Sequence, residues 1–277
     1  MTWWAKPGGV VGVNVETVTN DACFQARRAL ALLDLTELGD RATDADVRLL
    51  CARAVGPHGS VAAVCVWPRH VGLAAGILRG TGVRVATVVN FPAGLDDIDD
   101  VVELARSAQL DGADEIDLVL PYRALLGGDC NRPALMVAAV RQAITAGTGG
   151  TLKVILETGE LVDSGLIRAA AEIAIRNGAD FIKTSTGKTP ISATLAAAQM
   201  MLQTIHDLDP AVGLKPSGGI RTLAEATAHL SQADTIMGPA WASAATFRFG
   251  ASGLLTALEA ALDGDAPHTT SSTKETY

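Results

Sequence analysis

Aromatic residues make up only 4% of this 277-residue chain, so alanine, valine, leucine and glycine have to fill its interior, a composition suited to closely packed α/β layers. Clustered positive charge is also missing. The formal net charge of −8 argues against a broad nucleic-acid or anionic-membrane surface, although a few backbone N–H groups at helix starts can still hold a small phosphate. No apolar run reaches the roughly 18 residues that span a bilayer, and the start, Met-Thr-Trp-Trp-Ala-Lys-Pro, lacks the apolar stretch of a signal peptide. A cytoplasmic protein with no membrane partner is expected. The four cysteines, Cys23, Cys51, Cys65 and Cys130, include no Cys-x-x-Cys pair and read as reduced thiols. His58, His70, His206, His229 and His268 have no metal-ligand spacing, and no Gly-x-Gly-x-x-Gly follows an early strand. Nothing calls for a metal or a nicotinamide.

What is present is a rhythm. Short apolar runs recur at Ala29–Leu35, Ser60–Trp67, Val83–Phe91, Glu115–Leu120, Thr151–Glu157, Phe181–Ser185, Val212–Lys215 and, most weakly, Thr246–Gly250, with alanine-rich helical stretches between them. About thirty residues per unit fits eight strand-helix units, so the predicted fold is an α/β, (β/α)8 TIM barrel. The eighth strand has a competitor in Ala233–Trp241. The spacing predicts helices over Asp44–Ala54, over Asp96–Leu110, whose four early aspartates suit a helix N-terminus, and over Leu161–Asn177, stopped by Gly178. Residues 1–28 read as a lead-in segment, 29–264 as the barrel and 265–277 as a flexible polar tail.

Lysine is scarce, with six against sixteen arginines, yet Lys153, Lys183 and Lys215 all sit inside strand-like apolar runs. A buried ammonium costs several kcal/mol unless it is paired or loses its proton. Lysine, unlike arginine, can become a neutral nucleophile. Strand parity places Lys183 on the face of Phe181 and Ser185, Lys215 with Gly213 and Ser217, and Lys153 with Ile155 and Glu157. Asp117 shares a face with Glu115 and Val119, Asp34 with Leu32 and Thr36, and Cys65 with Ala63 and Trp67. In a barrel these faces converge near the C-terminal strand ends, where active sites of this fold lie.

At a pKa of about 10.4 only roughly one lysine in 2,500 is neutral at pH 7, and lowering it to about 7 takes roughly 4.6 kcal/mol. Burial and a second ammonium are a source of that energy, whereas a touching carboxylate acts against it. Lys183 is therefore the expected nucleophile, Lys215 its cationic neighbour and Asp117 a proton relay at short range. A lone strand lysine more often caps its strand and pairs with an acid, and a buried cysteine is usually a small hydrophobe. Three lysines at matching positions weigh against the structural account.

Gly187-Lys188, Gly218-Gly219 and Gly250-Ala251-Ser252 follow the sixth, seventh and eighth runs, where phosphate sites of this fold recur. Lys188 and Arg221 add charge there. Each glycine alone would serve as well in a tight turn. The string Ser185-Thr186-Gly187-Lys188-Thr189 is not a nucleotide P-loop, because Ile182 stands where that motif needs glycine.

These residues resemble the class I 2-deoxyribose-5-phosphate aldolases, through Leu33-Asp34-Leu35-Thr36, Ala63-Val64-Cys65-Val66-Trp67-Pro68, Glu115-Ile116-Asp117-Leu118-Val119-Leu120-Pro121-Tyr122, Phe181-Ile182-Lys183-Thr184-Ser185-Thr186-Gly187 and Lys215-Pro216-Ser217-Gly218-Gly219-Ile220-Arg221. The resemblance implies reversible cleavage of 2-deoxy-D-ribose 5-phosphate to acetaldehyde and D-glyceraldehyde 3-phosphate, within deoxyribonucleotide catabolism and carbohydrate degradation, with no cofactor beyond the Schiff base itself. It makes Lys183 the Schiff-base lysine, Lys215 the second lysine and Asp117 the relay acid. Asp34, Thr36, Cys65, Lys153 and Thr184 are expected at the substrate, and Gly187, Lys188, Gly218, Gly219, Arg221 and Ser252 at the phosphate. Gly253 and Ser217 depart from the family's usual serine and alanine. Some members end in a mobile tyrosine that carries protons, and Tyr277 is the candidate here. Partners are small phosphorylated sugars and aldehydes, and a homodimer is an assembly open to the chain. The competing readings are a transaldolase-like or keto-acid aldolase on the same barrel, and a non-catalytic phosphosugar-binding barrel.

Overall fold

The computed structural model describes residues 15–95, 97–147 and 149–264. Eight parallel strands, β1 (Leu33–Glu37), β2 (Ala63–Val66), β3 (Arg84–Val89), β4 (Glu115–Val119), β5 (Thr151–Ile155), β6 (Phe181–Lys183), β7 (Gly213–Lys215) and β8 (Phe249–Ala251), follow one another around the sheet, with β8 beside β1. The seam between β7 and β8 is drawn together by the bridges Leu214–Phe247 and Ser217–Gly250. Across it Arg248 N donates to Leu214 O at 3.0 Å and Gly250 N to Pro216 O at 2.9 Å. The result is the TIM barrel that the strand spacing predicts. Its strands are buried on both faces, the outer one against the helices, which is why they read as continuous apolar runs.

The helices start where the sequence supplies caps. Thr43 and Asp46 form a reciprocal capping box for Asp44–Ala54, and Thr222 with Glu225 does the same for Leu223–Met237. Asp97 caps Ile98–Leu110 two residues inside the predicted start. The helix predicted over Leu161–Asn177 is broken into Thr158–Leu161 and Ser164–Arg176, because Val162 takes a φ of 54° and the Asp163 carboxylate accepts from Leu166 N to begin a new helix. Gly178, at φ 96°, ends it as expected. Among the described residues no helix is long and apolar enough to cross a membrane.

Three sequence expectations are corrected. Ala29–Ala31 belong to the helix Val15–Ala31, whose buried Ala26, Ala29 and Leu30 keep helical spacing, so β1 starts at Leu33 rather than Ala29. That helix takes in much of the expected lead-in segment and packs on Leu223–Met237 and Leu254–Asp263, tied to the former by the Arg28–Asp234 ion pair. Ser60 is not barrel strand; Gly59–Ser60 forms a small antiparallel pair with Val55–Gly56. Residues 233–237 are helical, which removes the competitor for β8.

Candidate active site

Register assembles the site. Lys183 pairs with Lys215 across β6 and β7, and Asp117 with Lys153 across β4 and β5. Residues in register on parallel strands point to the same face, so the period-two pattern delivers these four side chains into one volume inside the barrel. Asp117 is its hub. Its Oδ2 accepts from Lys183 Nζ at 2.7 Å and from Lys215 Nζ at 2.8 Å, and its Oδ1 accepts from Lys153 Nζ at 3.2 Å. Asp34 Oδ2 lies 2.5 Å from Lys215 Nζ and 3.2 Å from Lys153 Nζ.

Two residues outside the sequence-predicted site complete the cluster. Arg248 Nη1 donates to Asp34 Oδ1 at 2.6 Å and its Nη2 donates to Glu115 Oε1 at 2.9 Å, while Glu115 Oε2 also pairs with Lys153. Parity could have found both, since Glu115 shares its face with Asp117 and Arg248 shares one with Gly250. Arg248 fell in the weakest of the eight runs.

Electrostatics separate the three amines. Burial lowers the Lys183 pKa and the neighbouring Lys215 adds to that, together outweighing the contact with Asp117. Burial acts on Lys215 too, but Asp117 and Asp34 overcome it and hold the ammonium above the ordinary lysine value. For Lys153, burial is overcome by Asp117, Asp34 and Glu115, with the same upward result. Burial would raise Asp117, yet Lys153, Lys183 and Lys215 keep it well below the ordinary carboxylate range. Asp34 goes the same way, burial being outweighed by Lys153, Lys215 and Arg248. Burial pushes the Cys65 thiol up to about 11, so at neutral pH it faces the cluster as an uncharged group.

Of the other predicted contacts, the Thr36 hydroxyl donates to the carbonyl of Asp34 at 2.9 Å. Thr184 Oγ1 donates to Ser217 O at 3.2 Å and accepts from Ser217 N at 2.9 Å, clasping the chain beyond β6 to the chain beyond β7. Gly187, Gly218 and Gly219 adopt φ of 78°, 83° and 84°, which glycine alone takes without strain. They line a cavity of about 480 Å³ together with Thr189, Ser192, Arg221 and His229. Lys188 stands apart from that cavity and pairs with Asp40 of the loop after β1 at 2.8 Å. Ser252 is exposed just before the helix Leu254–Asp263. Tyr277 lies outside the described residues.

A third unpredicted residue supports the loop after β6. Glu157 is fully buried at a φ of 57°, and its carboxylate accepts from Thr186 N at 3.2 Å and from the hydroxyls of Thr186 at 2.6 Å and Thr189 at 3.3 Å.

A closed parallel barrel that holds one amine poised to lose its proton, beside a second amine that keeps its own and a carboxylate touching both, has the equipment for adding nitrogen to a carbonyl carbon. A protein-family model described as DeoC/LacD family aldolase matches residues 28–259, and the chain belongs to that aldolase family. It is 53% identical over 243 residues to the deoxyribose-phosphate aldolase of Agrobacterium fabrum (strain C58 / ATCC 33970), covering 87% of this chain and 93% of that one. Among solved structures it resembles QR15, an aldolase, at 28% identity and a TM-score of 0.72, over 85% of this chain and 96% of that one. The fold is also that of the Aeropyrum pernix deoxyribose phosphate aldolase, described as a unique tetramer, with a TM-score of 0.72 over 90% of this chain and 98% of that one at 24% identity.

Proposed function

We propose that this chain is a class I aldolase that reversibly cleaves 2-deoxy-D-ribose 5-phosphate into acetaldehyde and D-glyceraldehyde 3-phosphate, with Lys183 as its Schiff-base nucleophile. The observation that carries the reading is the contact of Lys183 Nζ and Lys215 Nζ with the same oxygen, Asp117 Oδ2, at 2.7 and 2.8 Å. The neutral Lys183 nitrogen adds to the aldehyde carbon of the open sugar. The carbonyl oxygen then leaves as water, taking one proton from that nitrogen and one delivered from the Lys215 ammonium by way of Asp117, and a protonated imine remains. Lys215, left neutral by that step, takes the proton of the C3 hydroxyl by way of Asp117, and the C2–C3 bond breaks. Glyceraldehyde 3-phosphate departs and the electron pair passes through C2 to the imine nitrogen, giving an enamine. A proton returned to C2 gives the acetaldehyde imine, which water hydrolyses to free Lys183.

The imine nitrogen is itself the electron sink, so this route calls for neither metal nor organic cofactor. Gly187, Gly218, Gly219 and Arg221 are assigned to the substrate phosphate, with Ser252 and, once turned from Asp40, Lys188 as further contacts. Asp34, Cys65 and Lys153 form the wall and floor beneath the reacting carbons, and Thr36 and Thr184 hold the strand ends that carry them. We place the reaction in the cytoplasm, where the four cysteines, all unpaired, stay reduced.

Borohydride reduction in the presence of acetaldehyde should leave one stable adduct, mapped to Lys183 by peptide mass spectrometry. Cleavage of deoxyribose 5-phosphate should exceed that of a 2-keto acid. An adduct elsewhere removes the assignment of Lys183; no adduct at all would favour a phosphosugar-binding barrel.

A further inference from the structure

Among the described residues the barrel interior encloses three carboxyl groups, Asp34, Glu115 and Asp117, and four basic groups, Lys153, Lys183, Lys215 and Arg248, each at most 5% exposed. The other strands add little. From β2 comes Cys65, held as a thiol, and from β3 come the apolar Ala86 and Val88 packed with it; at the end of the barrel that Glu115 and Arg248 line, Arg84 pairs with Asp114 and Arg141 with Asp180, which leaves the balance unchanged. Beyond β5, Glu157 is turned to the Thr186 loop. Fully ionised, this set carries one positive charge more than its carboxylates offset, on side chains almost wholly shielded from solvent. Unbalanced buried charge is unfavourable, and the way out is a lost proton.

Arginine cannot be the donor, because its guanidinium keeps its proton throughout the accessible pH range. The loss falls on a lysine, and the contacts select which. Lys153 touches three carboxylates, Asp34, Glu115 and Asp117. Lys215 touches two, Asp34 and Asp117. Among the described carboxylates Lys183 touches only Asp117, on an oxygen it shares with Lys215. Without Arg248 the count would be three acids to three lysines, and every amine would have a counter-charge.

We propose that Arg248 is a positioning residue whose permanent charge, occupying Glu115 and half of Asp34 at the barrel floor, leaves the lysines one carboxylate short and thereby keeps Lys183 an uncharged nucleophile. It acts through Asp34, Glu115 and Lys153 rather than by touching the substrate. The proposal rests on Lys183 being the nucleophile. It agrees with Lys183 being lowered while Lys153 and Lys215 are raised.

The test is the acid limb of the pH profile, read both as kcat/KM for deoxyribose 5-phosphate cleavage and as the rate of borohydride-trapped acetaldehyde imine. Arg248→Met removes one positive charge and should move the limb to higher pH by about one unit, a roughly tenfold loss at low pH that alkali restores. Arg248→Lys keeps the charge and should leave the limb near its original position. Glu115→Gln, which preserves shape and raises the positive excess, should move it the other way. The double variant Glu115→Gln with Arg248→Met restores the original excess without the ion pair, and its limb should return toward that of the unmodified enzyme.

A purely structural role predicts uniform losses at all pH values with an unmoved limb in both single variants. That pattern, or a double variant shifted further than Arg248→Met, overturns the proposal. Should Arg248→Met fail to fold, the opposite shift in Glu115→Gln still decides it. An unmodified enzyme that forms no adduct at Lys183 would instead strike the underlying assignment of the nucleophile.

Discussion

Lys183 and Lys215 are register partners on adjacent strands, and both reach one oxygen of Asp117, yet their proton affinities are displaced in opposite directions. The difference comes from Asp34, which touches Lys215 and not Lys183. Two like side chains in one cavity are thus given different tasks by one carboxylate. Replacing Lys183 by Leu should abolish the trapped acetaldehyde adduct. Replacing Lys215 by Leu should leave Lys183 able to form it but more slowly, because Lys183 then keeps its proton and the relay loses its donor. A fall in turnover of at least about a hundredfold is expected for Lys215→Leu, within the range of lost general acid–base catalysis; equal adduct rates before and after that change would refute the division of labour.

The same two substitutions should part company in stability. A lysine whose folded pKa is lowered binds its proton more weakly in the native state than in the unfolded chain, so it opposes folding at neutral pH, and the penalty fades only as pH rises toward the unfolded value. Lys183→Leu should therefore leave Tm unchanged or raise it. Lys215→Leu instead removes one charge-assisted contact from Asp34 and one from Asp117, which keep Lys153 with Arg248 and Lys153 with Lys183; the loss of about 1.5–3 kcal/mol is roughly 3–12 °C in a domain of this size. Thermal melts at pH 7 by circular dichroism distinguish the two.

Acid should unfold the barrel through its carboxylates. Asp34 and Asp117 have folded values depressed below their ordinary ones, so their stabilisation is complete above the unfolded pKa of about 3.9 and is lost as pH falls below it toward the folded values. Asp117→Asn should flatten that acid limb of the stability curve as well as removing the relay. A stability curve between pH 5 and pH 2 that is as steep in Asp117→Asn as in the unmodified protein would contradict this.

Much of this was legible in the chain because parallel strands have period two and lysine is rare inside apolar runs. Lys153, Lys183, Lys215, Asp34, Asp117 and Cys65 could all be assigned to one interior from parity alone. What sequence did not disclose was the balance of charges, since Arg248 precedes a three-residue strand whose partner across the seam is joined only by isolated bridges. Glu157 escaped for a different reason. The run Thr151–Glu157 has a strand pattern throughout, but the strand ends at Ile155 and Glu157 turns left-handed, a tertiary outcome fixed by the threonines it binds. Helix Val15–Ala31 stands where a lead-in segment and the start of a strand are expected, because Ala29-Leu30-Ala31 suits either state until packing decides.

Room for Lys215 depends on Gly250. A Cβ built there would lie 1.9 Å from Ser217 Oγ and 3.1 Å from Lys215 Cε. Gly250→Ala should push both side chains aside and reduce kcat by roughly tenfold or more, the scale expected from a misplaced catalytic group. Trimming the obstructing hydroxyl in Gly250→Ala with Ser217→Ala should recover part of that loss, as steady-state kinetics would show. No recovery would mean that the contact with Lys215, rather than with Ser217, sets the penalty.

Glu157 offers a means of separating phosphate recognition from carbon–carbon chemistry. Its carboxylate holds the backbone and hydroxyl of Thr186 and the hydroxyl of Thr189, on either side of Gly187 and Lys188, whereas Lys183, Lys215 and Asp117 pair among themselves and with Asp34 and Lys153. In Glu157→Gln one carboxylate oxygen becomes an NH2 group and the charge is lost, so the side chain can no longer accept from the Thr186 amide on one oxygen and from its hydroxyl on the other at once, and the loop should loosen while the lysine cluster stays in place. The KM for deoxyribose 5-phosphate should rise about tenfold, the equivalent of one lost charge-assisted hydrogen bond. Cleavage of unphosphorylated deoxyribose, which leaves the loop empty, should change by less than about twofold. The ratio of the two kcat/KM values measures the effect directly, and a parallel fall for both substrates would show that Glu157 supports the barrel as a whole rather than the phosphate loop.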